Sequence, residues 1–206
     1  TCNVDATCQP HATRAPDGLQ LADAVARMSF VKDGGGFVCT GTLLNDQAFS
    51  GTPYFITANH CIDSQTVAST LQTHWFYRSS ACNANTLSSA SRTLRNGATL
   101  LYTVADPDTT LLRLNDAPPA GAVFAGWSAS KPTASTPITG IHHPQGDMLK
   151  VSQGALKSYY NCSPFDSQGQ TTCYGASAQT GNYFNTLWDS GTTEPGSSGS
   201  GAFHNG

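Results

Sequence analysis

Charge is scarce in this chain of 206 residues: Asp, Glu, Lys and Arg together supply 11% of it, and the net charge is only -3. With an isoelectric point near 6.0 there is no basic field of the kind that neutralises phosphates or anionic lipid, so neither nucleic acid nor a membrane surface is an expected partner. No run of about 18 apolar residues occurs that would serve as a spanning helix. The opening Thr1-Cys2-Asn3-Val4-Asp5 has neither the basic nor the apolar region of a signal peptide, and the numbering reads as that of a mature chain. No CxxC pair occurs among Cys2, Cys8, Cys39, Cys61, Cys82, Cys162 and Cys173. Without short, repeated ligand spacing no structural metal is expected, and nothing calls for a cofactor.

Seven cysteines in a chain rich in Ser, Thr, Asn and Gly point to an oxidising compartment, and hence to secretion. An odd count leaves at least one cysteine without a partner inside the chain. Short apolar runs recur at 36–39, 42–44, 54–57, 74–77, 100–102 and 110–114. They are separated by turn chemistry at Asp33-Gly34-Gly35, Asn45-Asp46, Asn96-Gly97, Asp106-Pro107-Asp108 and Pro118-Pro119, which predicts a mostly antiparallel all-β fold. Only Gly18 to Phe30 carries a helical stripe (Leu19, Leu21, Ala22, Val25, Met28), with Asp17 as its cap. Residues 115–122, with Pro118, Pro119 and Gly121, are the expected connection between two halves, 1–117 and 118–206. The polar stretch Ser163 to Thr186 reads as long surface loops.

Three local patterns carry chemistry. In Glu194-Pro195-Gly196-Ser197-Ser198-Gly199-Ser200-Gly201 small residues flank a serine, so the backbone can turn sharply, expose a hydroxyl and aim N–H groups at an oxyanion; alone, such a tract is usually a flexible loop. In Thr57-Ala58-Asn59-His60-Cys61 a strand-like run ends in a histidine beside a cysteine, although a lone histidine is more often structural. In Asp106-Pro107-Asp108-Thr109-Thr110 an acid immediately precedes a strand, a position where acids are usually turn residues. Taken together they supply a nucleophile, a base and an acid to orient the base, in the order His60, Asp108, Ser198, which is one of the known chain orders of the triad.

These patterns, with Cys39-Thr40-Gly41-Thr42-Leu43, Phe124-Ala125-Gly126-Trp127, Ile141-His142-His143-Pro144 and the opening Cys2-Asn3-Val4-Asp5-Ala6-Thr7-Cys8, resemble the trypsin-like serine peptidases, and specifically the bacterial lysyl endopeptidases. The resemblance implies a chymotrypsin-like fold of two antiparallel Greek-key β-barrels, with His60 and Asp108 in the first and Ser198 in the second. It implies a secreted serine endopeptidase acting on protein or peptide substrates after a basic residue, Lys favoured, with Gly196 and Ser198 N–H groups as the oxyanion hole. The competing expectations are an inactive binding module of the same fold and an inactive truncated fragment. Implied disulfides are Cys39–Cys61, Cys8–Cys82 and Cys162–Cys173, with Cys2 unpaired in this chain.

The chain also departs from the family pattern. It ends at Gly206, so the C-terminal part of the second barrel, with one wall of the primary pocket, is expected to be missing. A disulfide-linked C-terminal chain joined through Cys2 is the corresponding expectation. Thr192 stands where trypsin has its pocket acid, and Ser197 stands where the animal enzymes have the aspartate that pairs with a new N-terminus, so propeptide removal is the expected maturation route. His142-His143-Pro144 reads as a structural strand end, Trp75, Trp127 and Trp188 as core or barrel-edge aromatics, and Asn161-Cys162-Ser163 as an unused glycosylation pattern.

Overall fold

The computed structural model describes residues 2–164, 166, 168 and 170–205. Its strands are β1 (Val4–Asp5), β2 (Val25–Lys32), β3 (Gly35–Leu44), β4 (Tyr54–Thr57), β5 (Gln72–Trp75), β6 (Arg92–Leu94), β7 (Ala98–Val104), β8 (Thr109–Leu114), β9 (Pro137–His142), β10 (Lys150–Cys162), β11 (Cys173–Ala176), β12 (Tyr183–Ser190) and β13 (Ala202–Phe203), with one short helix, α1 (Gln65–Ala68). Seven strands form one sheet in the order β6-β5-β2-β3-β4-β8-β7, and every pairing is antiparallel. The second sheet is organised by β10. One of its edges carries β9 and then β11, and the other carries β1 and then β12, with β13 beyond β9.

Alternation explains the first sheet. In β8 Thr110, Leu112 and Leu114 point inward, and in β4 Phe55 and Thr57 do, the two-residue period of a strand with one covered face. Phe55, Leu112 and Leu114 meet Met28, Leu43, Ile62, Leu71 and Trp75 in one core. A second core gathers Leu21, Val25, Ile141, Leu149, Val151 and Phe203, and a smaller one Ile138, Leu156 and Tyr159 with Trp188 against it.

Several sequence expectations are corrected. The stripe from Gly18 to Phe30 is not a helix: a 3-10 turn at Leu21–Ala24 runs straight into β2. β2 lies between β3 and β5 and its Val, Phe and Val suit a strand, so sheet pairing overrides a short helical period. Asp17 caps a turn instead, its carboxylate accepting from Leu19 N–H at 3.0 Å. The runs at 36–39 and 42–44 are a single strand, with Gly41 at the point where the Phe55 ring leaves no room for a Cβ. The run at 74–77 stops at Trp75 because Phe76 takes a left-handed φ of 52°.

Part of the polar stretch after Ser163 is strand, β11 and the start of β12, largely exposed and therefore without a hydrophobic pattern to mark it; residues 165, 167 and 169 of that stretch lie outside the described residues. β10 itself gave no clean alternation, since it buries Val151 and Ser152 in succession and is bulged at 153/154 and 156/158. Trp75 is buried and Trp188 packs on the third core, but Trp127 is 56% exposed.

The structure pairs Cys8 with Cys82, Cys39 with Cys61 and Cys162 with Cys173, and leaves Cys2 exposed as a thiol. The sheets meet around Thr40: its N–H donates to Ser198 O at 2.9 Å, its hydroxyl donates to Gly196 O at 2.9 Å, and that hydroxyl accepts from His143 N–H at 3.1 Å. Arg27 Nε donates to Gly146 O at 2.7 Å nearby.

Candidate active site

β4 delivers His60. Three residues past the strand the chain turns, Cys61 N–H closing on Ala58 O, and Cys61 is bonded back to Cys39 on β3. Asn59 Nδ2 donates to Thr103 Oγ1 at 2.7 Å, and Lys32 Nζ, paired with Asp63 at 2.6 Å, donates to His60 O at 3.1 Å. Thr110 Oγ1 donates to Ile62 O at 2.6 Å and ties the same loop to β8. The segment carrying the histidine is therefore held by two neighbouring strands, a disulfide and a surface ion pair.

Asp108 lies immediately before β8, so the strand fixes its position. Its carboxylate binds His60 twice: Oδ1 accepts from the His60 backbone N–H at 2.8 Å, and Oδ2 lies 2.6 Å from Nδ1. Burial would raise the Asp108 pKa, but the His60 ring and backbone bonds, the His60 charge and the Asn59 N–H together hold it below the usual carboxylate value. An ionised carboxylate only accepts, so Nδ1 carries the hydrogen and Nε2 is the basic nitrogen of the neutral ring. Asp108 N–H donates in turn to Tyr183 OH of β12 at 3.2 Å, a contact from the second sheet.

Ser198 sits in the turn that links β12 to β13. Gly196 and Gly199 flank it with φ of 98° and 83°, a region that favours glycine. A Cβ on Gly196 would lie 2.8 Å from His143 O, and one on Gly199 would overlap Thr57 Oγ1 and Thr40 O. Ser197 N–H closes on Glu194 O and Ser200 N–H on Ser197 O. The small residues thus allow a tight turn packed directly on the β3–β4 region that carries His60. Ser198, His60, Asn59, Lys32 and Glu194 line one open cleft of about 960 Å³.

The structure thus joins His60 to Asp108 by hydrogen bonds and brings Ser198 into the cleft that His60 lines. Among the described residues neither the Gly196 nor the Ser198 N–H donates to another backbone group. His142 and His143, read as a strand end, are fully buried beside the nucleophile turn. Burial pushes them down to about 4 and about 3. Sequence reasoning did not single out Thr40, Tyr183 or Ser152. Thr40 could have been suspected as a polar residue beside Cys39, whereas Tyr183 sits on a mostly exposed strand and no pattern marks it.

The family model for the C-terminal domain of lysyl endopeptidase matches residues 1–206. The lysyl endopeptidase of Pseudomonas aeruginosa is 40% identical over 206 residues, which is 98% of this chain and 41% of that protein, so the chain spans well under half the relative's length. Among solved structures, a protease of M. tuberculosis in its active form superposes with a TM-score of 0.60 at 10% identity, covering 100% of this chain and 73% of that one. A thermostable serine protease from an extremophilic microorganism gives 0.52 at 15% identity, covering 89% and 80%. The fold is that of the chymotrypsin-like serine proteases.

Proposed function

The chain belongs to the lysyl endopeptidase family, and from that premise we propose that it is a secreted serine endopeptidase whose triad is His60, Asp108 and Ser198. The observation that carries this reading is the paired hydrogen bonding of Asp108 to the backbone and ring of His60, with Ser198 in the same cleft. Ser198 Oγ attacks the scissile carbonyl carbon while its proton passes to His60 Nε2, and the carbonyl π electrons move onto oxygen. Asp108 keeps the ring in its Nδ1–H tautomer and stabilises the imidazolium. The N–H groups of Gly196 and Ser198 receive the oxyanion, a contribution of roughly 3 to 4 kcal/mol per donor. The intermediate expels the amine, which takes the proton from His60, and water then hydrolyses the acyl-enzyme by the same relay.

Lysine at P1 is the proposed preference, supported by the name of the Pseudomonas aeruginosa relative and by a cleft in which Asp33, Asp63, Asp166 and Glu194 outnumber Lys32. The division at 117/118 assigns His60 and Asp108 to the first unit and Ser198 to the second, with β1 strapped across onto β10. Three disulfides support an extracellular site of action, and exposed Cys2 is proposed to pair with a cysteine outside this chain. The test is a fluorophosphonate label with cleavage of a peptide library. Labelling at Ser198 and cutting after Lys, both lost in Ser198→Ala, are the expected results. Labelling that survives the substitution, or none in the native protein, refutes the triad.

A further inference from the structure

Beneath the nucleophile turn lies a second, fully buried imidazole whose hydrogen bonds can be assigned a direction. Ser152 of β10 spends its one hydroxyl hydrogen on Thr192 O, at 2.9 Å. At its contact of 3.0 Å with His142 Nε2 it must therefore accept, which places the ring hydrogen on Nε2. Nδ1 is then an acceptor, and the Ser197 hydroxyl, 2.8 Å away, donates to it. The same Ser197 oxygen accepts from Glu194 N–H at 3.2 Å.

The result is one directed chain: Glu194 N–H to Ser197 Oγ–H to His142 Nδ1, then His142 Nε2–H to Ser152 Oγ–H to Thr192 O. It begins and ends on the segment that leads into Ser198, and it passes through β9 and β10 in between. Every hydrogen in it has an acceptor and both ring nitrogens have a partner, the condition under which a buried polar network is stabilising and specifies one geometry. The turn has further tethers of the same kind. The Glu194 carboxylate accepts from Asn3 Nδ2 at 2.6 Å and from Gln145 Nε2 at 3.1 Å, and Gly196 lies against the backbone of 143–146.

We propose that His142 is a positioning residue that, as a neutral imidazole between Ser197 and Ser152, locks residues 194–198 in the conformation that aims the Gly196 and Ser198 N–H groups at the substrate. The catalytic part of this inference rests on the peptidase reading above. Ser197 then acts as the link between a buried anchor and the adjacent nucleophile, and His142 touches neither substrate nor reacting atoms. Among charged groups, Glu194 acts on the ring and favours its protonation, against the larger effect of burial. Glu194 is held by Asn3 and Gln145, and Lys150, the cross-strand partner of His142, is paired with Asp147 at 3.3 Å. Neutral His143 follows it in the chain. A charged imidazole would need an acceptor on both nitrogens, and Ser197 could then no longer donate.

The experiment compares Ser197→Ala, His142→Gln and the double variant in the full-length protein. It reads kcat per fluorophosphonate-titrated site, KM, and amide hydrogen exchange at 194–198. Each single change is expected to lower kcat about 10-fold, less than the 100-fold or more of a lost oxyanion donor, with KM within about twofold and exchange in the turn raised. The double variant is expected to be no worse than the poorer single one, because both cut the same chain. Native kcat per titrated site in Ser197→Ala, additive losses in the double variant, or unchanged exchange in the turn overturns the proposal. Should His142→Gln not fold, Ser197→Ala, which removes one hydroxyl from the network, decides alone. A native protein that neither labels nor cleaves defeats the peptidase reading instead, while the exchange measurement still judges the lock.

Discussion

His60 and His142 are the same side chain put to opposite uses within one molecule. His60 sits at the rim of the cleft, its side chain 34% exposed, with a carboxylate on Nδ1. His142 is 0% exposed and has hydroxyls at both nitrogens. A carboxylate on Nδ1 fixes the tautomer that leaves Nε2 basic, whereas burial keeps the His142 ring neutral although the Glu194 charge acts the other way. The partners, more than the residue type, decide which histidine can be a base and which can only be a strut.

The sharpest way to break the comparison is to make the partner of His60 resemble those of His142. In Asp108→Asn the amide can still occupy the space between His60 N–H and Nδ1, but it no longer fixes the tautomer or stabilises the imidazolium. A fall in kcat of about 10⁴-fold is expected with the fold retained, measured as steady-state cleavage alongside circular dichroism. A fall of less than tenfold would mean that Asp108 is a turn residue and not part of a triad.

The buried histidines predict a separate acid response. His142 and His143 are pushed down to about 4 and about 3 by burial, and His74 to about 4 by burial with help from Arg27 and Arg95. Above pH 6.5 folded and unfolded chains both carry these rings neutral. As pH falls from 6.5 towards 4 the unfolded chain takes up protons that the folded chain refuses, so stability declines across that window. For His142 alone the loss by pH 4 is of the order of 3 kcal/mol; the more exposed His74 contributes less. Denaturant midpoints from pH 7 to pH 4 test this, and in His142→Gln the slope should be shallower by one proton. A flat profile would show that these rings are protonated inside the fold.

How much of this was readable beforehand follows the same division. The Asp108 and Ser198 patterns were each ordinary alone, a turn acid and a small-residue tract, and became legible only with His60 as nucleophile, base and acid in one chain order; only the fold shows that small residues alone fit between Thr40, Thr57 and His143. The first sheet was legible from short apolar runs, such as 54–57 and 110–114, bounded by turn residues. The second was not, because β10 is paired along both edges and buries neighbouring residues together, and β11 and β12 are largely exposed. The His142 network was invisible for a related reason. Ser152 was not singled out and Ser197 was read only as a substitute for the aspartate of the animal enzymes, and only the fold shows that their hydroxyls are buried against the same ring.

The disulfide beside His60 tests whether the rim site depends on a cross-link as the buried one depends on packing. Replacing both Cys39 and Cys61 by Ala opens a loop with a sequence separation of 22 and is expected to cost about 3 kcal/mol in urea unfolding. Because Cys61 adjoins His60, kcat should fall too. The bonded amides of Glu194 and Ser197, tethered through His142 and Ser152 to β9 and β10, should keep their hydrogen-exchange rates, while the bonds of Gly196 O and Ser198 O to Thr40, the neighbour of Cys39, loosen. Loss of protection there as well would show that the two histidine regions unfold as one unit.

The smallest effect is expected at Tyr183, the residue through which the second sheet touches the acid of the first. Its hydroxyl accepts from Asp108 N–H, and its pKa is raised, first by burial and then by the nearby carboxylates of Asp106 and Asp108, so it remains a neutral phenol through the working range of a peptidase. In Tyr183→Phe the ring stays and only the acceptor goes. Asp108 is part-buried, so water can replace the lost partner in part, and a net hydrogen bond of about 1 kcal/mol sets the scale. A roughly fivefold fall in kcat with unchanged KM would mean that the strand β12 contact positions the carboxylate. An unchanged kcat would mean that the two bonds from His60 suffice to hold Asp108, and that the contact across the sheets is packing without a catalytic consequence.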